Sequence, residues 1–110
     1  MTLEISDFDL QSVVSDTINI LSYSARKKGL KLTLAIDTEV PSVFKGDACR
    51  LRQIVTNLVG NAVKFAAEGE VTLHIQKDSE DEQTATLRFT VCDSGIGIAA
   101  EKHTVMRQAR

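Results

Sequence analysis

Asn57, Asn61 and Lys64 recur at steps of four and three residues within the stretch from Asp47 to Ala66. On a helix they share one stripe with Arg50 and Gln53. Two amide oxygens one turn apart can meet a hard cation that keeps part of its water, as Mg²⁺ does beside phosphates. An ammonium next to them can meet a phosphate oxygen. An ordinary solvated face accounts for the same stripe, although Glu or Lys serves exposed helix positions better than an amide does. A second group is Asp93-Ser94-Gly95-Ile96-Gly97-Ile98. Its carboxylate could accept a hydrogen bond from an exocyclic amine, its two glycines permit a close backbone approach to a ligand, and Ile96 and Ile98 could floor a base pocket. Many tight turns after a strand read the same way, so this motif alone does not separate turn from site.

Both groups need elements to hold them. Leu51, Ile54, Val55, Leu58, Ala62, Val63 and Ala66 form a broad apolar arc along the first stretch, with Asp47 as N-cap, which predicts a helix from Asp47 to Ala66. Upstream, Leu3, Ile5 and Phe8 suggest a short strand. Asp9 reads as the cap of a helix reaching about Lys28, with Phe8 and Val13 placed as a hydrophobic staple. Arg26, Lys27 and Lys28 suit that helix's C-terminal dipole, and Gly29 suits a left-handed cap. Leu30, Leu32, Leu34 and Ile36 alternate as a strand, and a loop punctuated by Pro41 and Gly46 leads to the central helix. Strands are expected from Gly69 and over Thr86 to Cys92, joined by a charged hairpin loop from Asp78 to Gln83; weak helical character marks Ala99 to Arg110. The order strand, helix, strand, helix, strand, strand predicts a two-layer α/β sandwich of the α+β class. Its sheet is mixed and mostly antiparallel, with both helices on one face.

A chain of 110 residues is a single domain with one modest core. The formal net charge of −2, with both signs interspersed, carries no nucleic-acid or membrane-surface footprint. No apolar run reaches the ~20 residues of a membrane span. Cys49 and Cys92 lack metal-ligand or redox spacing, which favours reduced thiols and a cytoplasmic setting.

Taken together, the two groups are more specific than either alone. Arg50 to Phe65 resembles the N box of sensor histidine kinases, over a helix from about 47 to 66, and Val91 to Ile98 resembles their G1 box, with its signature at 93–98. Phe8-Asp9-Leu10, Lys28-Gly29-Leu30 and Gly46-Asp47 resemble the flanks of this domain in hybrid kinases. The resemblance covers roughly residues 3 to 102. It implies the Bergerat-type ATP-binding fold shared with DNA gyrase, the large heat-shock chaperones and the mismatch-repair ATPases. By position it implies that Asn57 and Asn61 contact Mg²⁺ and phosphates, Lys64 contacts a phosphate, and Phe65 lies against the nucleotide. Asp93 would receive the adenine amine, and Gly95 and Gly97, with Ile98 beside them, would shape the pocket wall. The implied cofactors are ATP and Mg²⁺. ATP-hydrolysing relatives carry a glutamate where Asn57 stands; an amide cannot take a proton from water, which favours transfer to a protein histidine.

No residue of this chain is assigned a catalytic role. His74 reads as a solvent-facing strand residue and His103 as a solvated tail residue, and neither sits in a phosphoacceptor motif. The resemblance places the dimerisation and phosphoacceptor hairpin of a membrane-anchored parent before residue 1, with a response-regulator receiver domain as an indirect partner. It also leads one to expect a lid and a second glycine box, which 99–110 does not supply. The expectation is a domain truncated at its C-terminus, with weak or no activity in isolation and a sheet edge that another copy could cover. An inert nucleotide-binding or oligomerisation module, and an anti-sigma-type serine kinase of the same superfamily, are the alternatives.

Overall fold

A computed structural model of the chain describes residues 5–66, 68–94 and 97–109; Leu3 of the expected first strand lies outside them. Strand β1 (Ser6–Asp9) runs directly into helix α1 (Leu10–Lys27), because Asp9 stays extended and its Oδ1 accepts the Ser12 N–H at 2.9 Å. Leu10, Val13, Val14, Thr17, Ile18 and Ala25 turn inward, and the Thr17 hydroxyl is satisfied by donating to the Val13 carbonyl at 2.8 Å. Gly29 closes the helix at φ +74°, the left-handed conformation that favours glycine. Strands β2 (Leu30–Ile36) and β3 (Val43–Gly46) follow, then helix α2 (Ala48–Phe65), whose cap Asp47 accepts the Cys49 N–H at 2.9 Å. Strands β4 (Gly69–Glu80), β5 (Thr84–Asp93) and β6 (Gly97–Gln108) complete the order.

The six strands form one sheet in the order β1-β3-β6-β5-β4-β2; β2 pairs parallel to β4, and every other pairing is antiparallel. Val71, Leu73 and Ile75 of β4 and Ala85, Leu87, Phe89 and Val91 of β5 are completely buried, in one cluster with the inward stripes of both helices. The alternate positions, such as His74, Gln76 and Arg88, face the other side and are only half-buried. This is the expected two-layer sandwich with both helices on one face.

Several expectations are corrected. The loop after Ile36 contains β3, whose Phe44 is fully buried; four residues between Pro41 and Gly46 are too short a run for alternation to stand out. The charged hairpin loop shrinks to 81–83, because β4 continues past a register shift between Lys77 and Ser79 and pairs Ser79 with Thr86 and Glu80 with Ala85 of β5. The inward arc of α2 gains Val59, which is completely buried one turn from both Val55 and Val63. Lys28 caps its own helix through its backbone N–H, which donates to the Ala25 carbonyl at 3.0 Å, but its side chain serves the other helix: Nζ donates to the carbonyls of Val63 and Lys64, at 2.7 and 2.8 Å, in the last turn of α2.

The largest correction concerns 99–110, expected to be helical. Residues Gly97–Gln108 are β6, inserted between β5 and β3. The turn after Asp93 brings Gly97 directly opposite it, and the unpaired backbone groups of β5 then take ten successive partners from β6. Helix propensity differences of a few tenths of a kcal/mol per residue are small against that ladder. With β6 between β5 and β3, the outermost strands of the sheet are β1 and β2.

Two predictions follow from these contacts. Replacing Lys28 by Met keeps the stem but removes the ammonium from α2's terminal carbonyls, and should lower stability by about 1 kcal/mol, read as a reduced urea midpoint at unchanged m. In the 81–83 turn, the backbone N–H of Thr84, then that of Gln83, hold the Asp81 carboxyl below its ordinary value of 3.8. A depressed folded pKa contributes stability that is present above the unfolded value and is lost as pH falls through the folded one. Urea unfolding at stepped pH should therefore show the native chain losing its advantage over Asp81→Asn only below about pH 4.

Candidate functional site

The outward side of α2 carries Arg50, Gln53, Asn57, Asn61 and Lys64, all exposed. Its rotation is set by Leu51, Val55, Val59, Ala62 and Val63, which are buried beneath it. Asn57 and Asn61 stand one turn apart, about 6 Å along the axis. In the last turn the Lys64 ammonium lies over the Phe65 ring, 5.6 Å from its centroid, and Phe65 is 79% exposed. That turn is anchored from outside by Lys28. Sequence reasoning missed this contact, and no spacing signal could reveal it, since the partners are 35 and 36 positions apart.

Asp93 ends β5 in the same alternation as Phe89 and Val91, so its carboxylate lies on the helix-covered side and is only 8% exposed. It is paired with Val71 on one side and Gly97 on the other. β4 begins at Gly69, four positions after Phe65, so the end of α2 and the end of β5 meet at one end of the molecule. Gly97 takes φ +85°, as a glycine at a close turn should. The register sets Ile98 opposite Cys92, on the face away from the helices, where it is 68% exposed. The structure thus gathers Asn61, Lys64, Phe65, Asp93 and Gly97 toward one end and sets Ile98 on the reverse side. Gly95 and Ile96 lie outside the described residues.

The turn after Asp93 is tied to the start of β4. The Ser94 N–H donates to the Glu70 carbonyl at 3.0 Å, and the Ser94 hydroxyl accepts the Glu70 N–H at 3.0 Å. Gly69 lies so close that a Cβ on it would stand 2.5 Å from the Ser94 hydroxyl. Chemically, the site offers exposed amide oxygens and an ammonium along a helix, with a buried carboxylate at the end of a strand nearby. Oxygen donors of this kind suit a hydrated hard cation, and the carboxylate suits a ligand that donates hydrogen bonds.

The chain as a whole is similar to known proteins. The family described as histidine kinase-, DNA gyrase B-, and HSP90-like ATPase matches residues 46–110, which hold α2 and the turn after β5. Sensor protein GacS of Pseudomonas syringae pv. syringae is 38% identical over 109 residues, which is 99% of this chain and 12% of that protein. The signal transduction histidine-protein kinase BarA of Escherichia coli (strain K12) is 37% identical over the same shares. Among solved structures, full-length ShkA in complex with AMPPNP matches with a TM-score of 0.69 at 31% identity, over 86% of this chain and 19% of that one. The chain thus spans about an eighth of the length of these two curated relatives.

The Gly69 contact yields a test of how the Asp93 turn is held. Gly69→Ala combines a left-handed backbone, φ +100°, with a clash at the Ser94 hydroxyl. It should cost about 1–3 kcal/mol and shift the amide resonances of Glu70 and Ser94; an unchanged melting temperature would contradict the close packing.

Proposed function

Because this chain belongs to the histidine kinase-, DNA gyrase B- and HSP90-like ATPase family, we propose that it is the ATP-binding unit of a sensor histidine kinase, serving γ-phosphoryl transfer to a histidine on a separate domain. The observation that carries this reading is the pairing of an exposed Asn57–Asn61–Lys64 line with a buried Asp93 at the end where α2 and β5 finish. Asp93, shielded from water, would accept a hydrogen bond from the adenine amine. Lys64 would neutralise a phosphate oxygen, and Phe65, already exposed, would lie against the nucleotide. Gly95 and Gly97 would let the backbone come close to the base. Asn57 and Asn61 would hold Mg²⁺ through their amide oxygens. When bound, that ion supplies charge neutralisation between phosphate oxygens.

With Asn57 in the position where the resemblance puts a glutamate in hydrolysing relatives, this chain has no base there to activate water. Its contribution to the reaction is positioning and electrostatics. The phosphoacceptor is assigned to a partner domain rather than to this chain's own histidines: His74 Nε2 sits 2.7 Å from Asp37, and His103 Nδ1 sits 3.3 Å from Asp78. The dimerisation and phosphoacceptor domain of a longer kinase is the direct partner in this reading, with a response-regulator receiver domain acting downstream. Among the described residues no helix is long and apolar enough to cross a membrane, and we assign the domain to the cytoplasmic side of a membrane-anchored parent.

A second reading is a nucleotide-binding module without transfer activity. It is favoured by β6, which pairs with β5 from Gly97 onward over the stretch where the resemblance leads one to expect a lid. Calorimetry with AMPPNP and Mg²⁺ tests the shared premise. Asp93→Asn and Asn61→Ala should each weaken binding by about tenfold or more, and affinity unchanged in both variants would sink the site assignment. Phosphotransfer from ATP to a supplied histidine-bearing helical hairpin then separates kinase from inert module.

A further inference from the structure

Ile36, the last residue of β2, pairs with Ile75, four positions along β4 from the Val71 that faces Asp93, about 13 Å away. There, beyond the end of the proposed nucleotide site, the structure forms a half-open cavity of about 310 Å³, within the lower range of small-molecule sites. It lies between the first turn of α1 and the loop that follows β2. Leu10 and Val40, 1% and 9% exposed, form its apolar floor together with Leu34 and Ile36. Its walls are fixed by the backbone: the Leu10 N–H donates to the Ser42 carbonyl at 2.8 Å, the Asp37 N–H to Ile75 at 3.0 Å, and the Val40 N–H to Asp37 at 3.1 Å. A cavity held in this way does not have to be ordered by its ligand.

The polar lining is one-sided in charge. Gln11, Thr38 and Ser42 are neutral, and Asp37 is the only formally charged residue in the lining. Glu39 in the same loop and Asp9 at the α1 cap add negative charge nearby, and the Asp9 carboxylate already meets the helix N-terminus. Asp37 Oδ1 is held 2.7 Å from His74 Nε2, yet the side chain remains 43% exposed, so carboxylate surface stays open. An anion placed here would be repelled, whereas an ammonium would gain a charge-assisted hydrogen bond.

We propose that this cavity binds a small organic ammonium with a short apolar body. The hydrocarbon replaces water chiefly against the half-buried Leu34 and Ile36, above the buried Leu10 and Val40, and the ammonium donates to Asp37 and to a hydroxyl of Thr38 or Ser42. This site is independent of the nucleotide reading. Phenethylamine titrated into the 110-residue chain and followed by amide NMR is the test, with phenylacetate and phenethyl alcohol as anionic and neutral controls. Saturable shifts at Gln11, Thr38, Val40 and Ser42 are expected with the amine, about tenfold weaker in Asp37→Asn. Ser42→Phe should abolish them by filling the mouth while leaving the backbone carbonyl that accepts from Leu10, and its circular dichroism melt verifies folding. Equal shifts from either control, affinity for Asp37→Asn within about twofold of the native chain, or no saturation up to the amine's solubility would overturn the proposal. None of these results bears on AMPPNP binding, so the two assignments fail separately.

Discussion

Everything at the proposed nucleotide end depends on how α2 is rolled against the sheet. Leu51, Val55, Val59, Ala62 and Val63 recur at three- and four-residue steps and are all buried. Burying such side chains is worth about 1.5–3 kcal/mol each for the larger ones, so a turn of the helix about its axis would expose several at once. This roll cannot be altered without dismantling the core, and it presents Asn57, Asn61 and Lys64 outward as a line rather than as scattered polar residues. Lys28 settles the remaining freedom, since its ammonium holds the final carbonyls of the helix. The same residue ends α1, so the two helices are fastened at the end where Lys64 and Phe65 project.

What could be read from sequence is what local chemistry determines. Asp9 and Asp47 are caps because a short carboxylate can reach an orphan N–H two or three residues on. Gly29 ends α1 because its φ is +74°. The alternation of Val71, Leu73 and Ile75 with Thr72 and His74 identifies β4 and its buried face directly. The site residues Asn57, Asn61 and Lys64 were legible for the same reason, being one periodic stripe on a strongly amphipathic helix. The illegible parts are decided by distant partners. Lys28 is legible as the cap of its own helix, but the second role of its ammonium, on the last carbonyls of α2, appears only once the fold brings that helix beside it. Residues 99–108 contain good helix formers such as Ala99, Ala100, Glu101 and Met106, but the ladder offered by β5 outweighs their preference. Ile98 could not be assigned a face at all before the register with Cys92 was known.

The two ends of the sheet are built by contrasting means. At the β2 end, apolar side chains and three backbone hydrogen bonds shape a half-open recess, and the one charged residue in its described lining is held by a histidine. At the Asp93 end, the exposed groups are laid out along a helix and a strand terminus. A ligand at the first end would be bound mainly through a formed concavity. At the second it would be bound through placed polar groups, which is the more demanding arrangement because exposed ion pairs are weak unless several act together.

β6 sharpens that point. Its positions are mostly exposed although it is an inner strand, and the buried Thr104 hydroxyl has no hydrogen-bond partner among the described residues. Its pairing with β3 is confined to Gln108 and Arg107. The strand is therefore held mainly by its ladder to β5, with side-chain burial from Ala100 and Met106 adding to it. Asp93 does not depend on that strand alone. Ser94 bonds Glu70 through both its backbone and its hydroxyl, and Gly69 leaves no room for the contact to slip. The backbone that carries Asp93 is thus fixed from the β4 side, by the segment that also follows α2. The two halves of the proposed site share one covalent connection of four positions, from Phe65 to Gly69, and their relative placement rests on that connection and the core beneath it rather than on β6.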